Sequence, residues 1–209
     1  MTWNFDQFFP IPVWWSNTNI DCDSLEKVAY ELYEKDNVGR VLSNQGGWQS
    51  KDFRPGTIPE LKPLEDLILE QANRCIDDYG YRKDAGFIVI ENLWFNINKK
   101  GDNNSVHIHD NSFVSGAFYV KANSEQGGII FYKDYNADFI VASRAPIQTH
   151  TAISASGIRY EAETGKILIF PGNLPHGVER NDTDEDRISI SWNVKYFRTD
   201  DDRYFPKNT

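Results

Sequence analysis

Residues 186–197 read DRISISWNVKYF, and the alternation in that stretch decides the fold class. Successive side chains of a strand point to opposite faces. Arg187, Ser189, Ser191 and Asn193 therefore share one face, and Ile188, Ile190, Trp192 and Val194 share the other. A strand half-exposed to water would show the same pattern. Two neighbouring segments repeat the habit, however. ENLWFNIN (91–98) sets Asn92, Trp94, Asn96 and Asn98 against Leu93, Phe95 and Ile97, and SFVSGAFYV (112–120) puts Ser115, Ala117 and Tyr119 on one face. Polar side chains turned into a β-core are costly unless they satisfy one another or a ligand. Three strands with this habit predict a polar-lined pocket. An arginine with a hydroxyl two residues on, as in Arg187 and Ser189, is suited to gripping a carboxylate by salt bridge and hydrogen bond together.

Outward from these strands, everything after Gly86 consists of short segments rich in β-branched and aromatic residues, split by Gly, Asn, Asp and Pro. FIVIENLWFNIN, SVHIH, SFVSGAFYVKA, GGIIFYKD, ISASGIRYEAE, GKILIFPG and DRISISWNVKYF are the candidate strands, and their spacing predicts a β-sandwich or barrel. The first part reads differently. Ser24 is placed to cap a helix over LEKVAYELYEKD, with Leu25, Val28, Ala29 and Leu32 at helical spacing and Gly39 beyond its end. The loop SNQGGWQSKDFRPGTIP follows, then a second helix from about Pro63, with Leu64, Leu67, Ile68, Ala72, Cys75, Ile76 and Tyr79 on one stripe and Gly80 at its end. The expectation is a single domain over 1–209: a mainly helical N-terminal part, 1–85, whose helices cover one face of a β-core, 86–209.

The 209 residues suffice for a sizeable core, and 40% hydrophobic content excludes a disordered chain. A formal charge of -9, with lysines and arginines scattered, argues against nucleic acid as a ligand. No stretch is long enough to span a membrane, and MTWNFDQFFPIPVWW lacks the basic start and apolar run of a signal peptide, so a cytoplasmic location is expected. That aromatic segment either packs on the sheet or meets a second copy of the chain, which makes a homodimer a candidate assembly. Cys22 and Cys75 read as reduced thiols rather than a disulfide.

The stretch HIHDNSFVSG (107–116) holds two of the four histidines. In a strand, His107 and His109 point the same way, and two neutral imidazoles on one face suit iron, zinc, copper or nickel. A third ligand must come from elsewhere. His176 follows an apolar strand and a Pro-Gly turn in KILIFPGNLPHGVER; His150, in IQTHTAIS, reads as a polar strand or loop residue.

HIHDNSFVSGAFYV, GGIIFYKD, GKILIFPGNLPHGVERN and DRISISWN, in that order, together with the N-terminal FPIPVWW and the SNQGGWQS loop, resemble a family of 2-oxoglutarate- and iron(II)-dependent oxygenases found in bacteria and marine phages. The family pattern is similar to H-x-H-P-x-S-x-x-S-G-x-x-Y, a G-x-L-x-x-F-P-x-x-L-x-H turn and an R-x-S-x-S-x-N strand. The resemblance implies a double-stranded β-helix, or jelly-roll core, with helices packed on one sheet. It implies Fe(II) held by His107 and His176, with His109 standing where most of the superfamily has a carboxylate. Asp110, which replaces the family's proline, is the alternative second ligand. Strand alternation turns it away from His107, so His109 is preferred, unless a bulge redirects the chain. Arg187 and Ser189 match the motif that anchors 2-oxoglutarate, and Tyr119 is a further contact to the same carboxylate. Asn96, on the pocket face of its strand, joins them as a candidate contact. The implied reaction is hydroxylation of a small-molecule or peptidyl substrate by dioxygen, with release of succinate and carbon dioxide. Two other classes compete: a cupin-like metal jelly roll without 2-oxoglutarate, which does not need Arg187-x-Ser189, and a non-enzymatic β-sandwich module, which leaves the inward histidines unexplained.

Overall fold

The computed structural model describes residues 10–133, 148–149, 151 and 154–199. Along the chain run β1 (Trp14–Asn17), α1 (Cys22–Lys35), β2 (Asn44–Gln45), β3 (Trp48–Gln49), α2 (Lys62–Asp78), β4 (Gly86–Asn98) and β5 (Asn103–His107). After them come β6 (Val114–Lys121), β7 (Gly128–Tyr132), β8 (Gly157–Glu161), β9 (Lys166–Pro171), β10 (His176–Val178) and β11 (Arg187–Arg198). Six strands form one antiparallel sheet, ordered β1-β9-β6-β11-β4-β3, and five form a second, ordered β2-β5-β10-β7-β8. The expected jelly roll with helices on one sheet is what the chain adopts.

The alternation read in β11 sorts the layers. Ile188, Ile190, Trp192 and Val194 face outward from the six-stranded sheet and pack with Leu25 and Ala29 of α1 and Leu64, Ile68, Ala72 and Cys75 of α2. Each such buried aliphatic side chain contributes about 1.5–3 kcal/mol, which holds the helices to this face. The opposite face of the sheet meets the second sheet. Tyr119, Leu168 and Phe170 pack there against Ile129 and Phe131 of β7.

Three details differ from the sequence reading. The cap of α1 is Asp21, not Ser24. The Asp21 carboxylate accepts from the Ser24 backbone N–H at 3.2 Å and its hydroxyl at 2.6 Å, because a carboxylate at a helix start also answers the dipole. The N-terminal part is not helical alone. It adds β1 beside β9, β3 beside β4 and β2 beside β5. These strands of two to four residues carry no periodicity of their own; their partners create them. Finally, β5 runs Asn103–His107, so the strand expected over SVHIH begins and ends two residues earlier. The second helix behaves as read: proline lies in its first turn, and Gly80, at φ 68°, follows its end. Cys22 and Cys75 are both free thiols.

Candidate active site

The register of the six-stranded sheet arranges the polar face in rungs. Asn98 of β4 lies beside Arg187 of β11. The next rung is Asn96–Ser189–Tyr119 across β4, β11 and β6, followed by Trp94–Ser191–Ala117 and Asn92–Asn193–Ser115. The polar face is not an outer surface of the protein. With the second sheet it encloses a cavity of about 590 Å³, lined by Asn92, Trp94, Asn96, Asn98, Tyr119, Ser189, Ser191 and Asn193 from this side. The alternation in DRISISWN thus marks a pocket wall, as expected.

The opposing wall brings the histidines. His176 opens β10 and pairs directly with His107 at the end of β5. His109 arrives by a different route from the one the alternation suggested. It lies past the strand end, its backbone N–H donating to Gly172 O at 2.8 Å, ahead of a turn in which Asn111 takes φ 62°. Gly172 admits this approach, since a Cβ there would stand 2.9 Å from His109 O and 2.6 Å from Ser112 O. The ligand-capable atoms of His107, His109 and His176 all lie within 4.8 Å of one another. Asp110 is exposed and stands outside this group. His150 lies outside the described residues.

The imidazoles are prepared as neutral ligands. The Nδ1 atoms of His107 and His176 lie 2.8 Å from the backbone carbonyls of Ser105 and Leu174, each two residues back. A carbonyl only accepts, so both Nδ1 atoms carry the proton and both Nε2 lone pairs are left free. His109 Nε2 lies 3.2 Å from His176 Nε2. Nitrogen lone pairs converging at this distance are relieved by a shared cation. Burial holds His107 below the usual histidine range; burial and then the nearby His107 lower His109 to about 4 and His176 to about 3. Trp94 tilts over His109 with ring centres 5.8 Å apart, and Phe170 packs on His176 at 4.5 Å. Phe131 also packs on His176 but does not line the cavity.

These shifts have a consequence for stability. An unfolded histidine takes up its proton near pH 6.5, whereas the folded imidazoles resist protonation to about pH 4 and below. Below 6.5 the unfolded chain binds more protons, so stability falls with falling pH. The metal-free chain is expected to keep a constant melting temperature above pH 7. It then loses up to about 1.4 kcal/mol per pH unit for each buried histidine between pH 6.5 and 4. A melting series in the presence of a chelator checks this; a flat profile there contradicts it.

Arg187 is 1% exposed and is not among the residues lining the cavity. Its Nη1 donates to the backbone carbonyls of Gln126 and Glu179. Its Nη2 has no partner, one of two such buried side-chain nitrogens among the described residues; the other, on Trp192, sits in the apolar core under the helices. Burial pulls the guanidinium pKa down, and the nearby Tyr119 and Glu179 oppose that. A buried guanidinium with a spare donor, two residues from Ser189 on the same face of the strand, is fitted to an incoming carboxylate. The residue set therefore suits both groups that the sequence implied: three neutral imidazoles for a metal, and an orphaned arginine nitrogen for an acid. Sequence reasoning gave no role to Arg40 and Asp52. They line the mouth as a salt bridge of 2.6 Å, and no periodicity or motif in their loop distinguishes them.

The fold places the chain among known structures. A Pseudomonas putida prolyl-4-hydroxylase matches with TM-score 0.59 at 15% identity, over 87% of this chain and 92% of that one. A Trichoplax adhaerens prolyl hydroxylase in complex with a hypoxia-inducible factor peptide matches with TM-score 0.59 at 14% identity, over 89% and 83%. HygX from Streptomyces hygroscopicus, with nickel, 2-oxoglutarate and hygromycin B bound, matches with TM-score 0.56 at 12% identity, over 88% and 83%. These likenesses show the shared fold. No curated protein sequence matches the chain significantly. The family described as "Putative 2OG-Fe(II) oxygenase" matches residues 92–193, a stretch that contains the three histidines, the Asn96–Ser189–Tyr119 rung and Arg187. Over that stretch, just under half of the chain, the sequence is similar to this family of iron(II) oxygenases that use 2-oxoglutarate.

Proposed function

We propose that His107, His109 and His176 hold the iron(II), and that Arg187, Ser189 and Tyr119 receive the far carboxylate of 2-oxoglutarate, with Asn96 supporting Ser189. The observation that carries this reading is the pairing of a converging imidazole cluster with a buried arginine whose Nη2 is unpartnered. Bound together, iron(II) and 2-oxoglutarate would supply reduction of dioxygen, one oxygen atom going into the decarboxylated 2-oxo acid and the other into a substrate C–H bond.

The protein contributes orientation. Arg187 is immobilised by two backbone carbonyls, so its remaining donor meets a carboxylate without losing further side-chain freedom. Asn96 Nδ2 lies 3.2 Å from Ser191 Oγ and 3.5 Å from Ser189 Oγ, holding both hydroxyls along the cavity wall. Tyr119 is 2% exposed, and the Arg187 charge beside it opposes the rise in pKa that burial imposes on the phenol. It stays a neutral donor at neutral pH. Phe170 and Trp94, against the imidazoles, keep water from the histidine side.

The substrate meets a wall of amides and hydroxyls, in which Arg40 and Asp52 at the mouth are the charged pair. That lining fits a neutral, polar small molecule or a peptidyl group. Among the described residues no helix is long and apolar enough to cross a membrane. We infer a cytoplasmic enzyme whose net charge of -9 keeps it from nucleic acid. Anaerobic titration of the iron(II)-loaded chain with 2-oxoglutarate tests the assignment. A saturable visible charge-transfer band from the chelate is expected; stoichiometric bound iron without such a band refutes the 2-oxoglutarate site.

A further inference from the structure

Arg187 is held by two main-chain carbonyls, and one of them is available only because of a side chain. β10 pairs with β7 through Val178 and Ile129, and Glu179 and Gly128 continue the ladder, the Glu179 N–H donating to Gly128 O at 2.8 Å. In an antiparallel pair of this kind the opposite residues exchange both bonds, so the Gly128 N–H would return to Glu179 O. It goes instead to the Glu179 side chain, donating to Oε2 at 2.9 Å. The carboxylate takes the place of its own residue's carbonyl in the ladder. That leaves Glu179 O to accept from Arg187 Nη1 at 3.0 Å.

The second carbonyl comes from Gln126, at the end of a short 3-10 turn, Ser124–Gln126, between β6 and β7. One exposed residue joins both supports. Arg159, on β8 beside β7, donates through Nε to Glu179 Oε2 at 2.6 Å and through Nη2 to Ser124 O at 3.4 Å. Gly127, at φ 79°, lets the turn close on this arrangement, since a Cβ there would stand 2.9 Å from Glu179 Cβ. The two carbonyls immobilise one nitrogen of the guanidinium, and Nη2 is the one left unpartnered. Where Nη2 points is therefore set by where these carbonyls stand. We infer that Glu179 is a positioning residue for Arg187: its carboxylate occupies the Gly128 N–H, which releases its carbonyl to hold the guanidinium, and Arg159 fixes that carboxylate from outside. The inference rests on Arg187 being the anchor for the far carboxylate of 2-oxoglutarate. It makes selectivity for a dicarboxylic 2-oxo acid depend on a residue that does not line the cavity.

The test compares 2-oxoglutarate with 2-oxopentanoate, the same carbon chain ending in a methyl group instead of the far carboxylate, by anaerobic charge-transfer titration of the iron(II)-loaded full chain. Wild type should prefer 2-oxoglutarate. Glu179→Ala gives the Gly128 N–H back to the main-chain carbonyl. It should weaken 2-oxoglutarate binding roughly 10- to 150-fold, the change that goes with losing a hydrogen bond to a charged group, and leave 2-oxopentanoate unchanged. Damage to the fold at large would weaken both acids. Glu179→Gln keeps an oxygen for the Gly128 N–H and should restore the preference to near wild type. A wild-type preference in Glu179→Ala overturns the proposal, as do equal weakening of both acids and a Glu179→Gln chain as weak as Glu179→Ala. If Glu179→Ala does not fold, Arg159→Gln decides: a preference lowered about two- to fivefold, the range for an exposed ion pair, is expected, and an unchanged one overturns the proposal. If wild type shows no preference, or Arg187→Ala keeps it, the anchor reading itself fails, an outcome distinct from a preference lost in Arg187→Ala but kept in Glu179→Ala.

Discussion

Replacing His176 by alanine is expected to abolish stoichiometric iron binding while leaving the β-core folded. His176 pairs with His107 across β10 and β5, and its Nε2 faces that of His109 at 3.2 Å. Without it two imidazoles remain, one of them on the irregular segment after β5. The affinity loss should exceed the roughly 10–100-fold that follows removal of a mere outer partner. The alanine also opens a space beside Phe170 and leaves the Leu174 carbonyl without its donor. A loss of about 1–3 kcal/mol in stability is therefore expected alongside. Metal analysis of the anaerobically loaded variant, with a melting curve beside it, separates the two effects. Stoichiometric iron in a folded His176→Ala chain refutes the three-histidine site.

Arg187→Ala is expected to weaken 2-oxoglutarate binding by about 2–5 kcal/mol, roughly 30- to 5,000-fold, with iron content unchanged. The size follows from burial. At 1% exposure, the guanidinium and its carboxylate partner interact out of water, and truncating one leaves the other uncompensated. Arg187 also serves the carbonyls of Gln126 and Glu179, so the variant should melt earlier. Gly127 between these segments, at φ 79°, would bring a Cβ within 3.1 Å of Arg187 Nη1; the pocket for the guanidinium is tight, and lysine will not reproduce its fork. The titration that follows the charge-transfer band reads the effect directly, and a 2-oxoglutarate affinity equal to wild type refutes the anchor assignment. Loss of the band with iron retained distinguishes this variant from His176→Ala, in which both vanish.

Much of the architecture was legible because it is written at short range. The polar and apolar faces of β4, β6 and β11 follow from alternation at every second residue. The buried stripe of α2 follows from steps of three and four. DRISISWN announced the pocket wall, and its Arg187, Ser189, Ser191 and Asn193 lie on the face that meets the second sheet. The two histidine segments and their order pointed to the cluster. The partner of each was not legible. His109 and His176 are 67 residues apart, and only the pairing of β5 with β10 and the turn at Gly172 bring their rings together. The same turn leaves Asp110 outside the group, for a reason strand alternation did not contain: the strand had already ended. The strands β2 and β3, and the Arg40–Asp52 pair at the cavity mouth, were equally invisible, since their residues acquire a role only from chain far away in sequence. Periodicity belongs to neighbours and can be read from neighbours. Register, the ends of strands and the meeting of side chains across two sheets are set by cooperative pairing over the whole chain, and for this protein they decided which imidazole nitrogens converge.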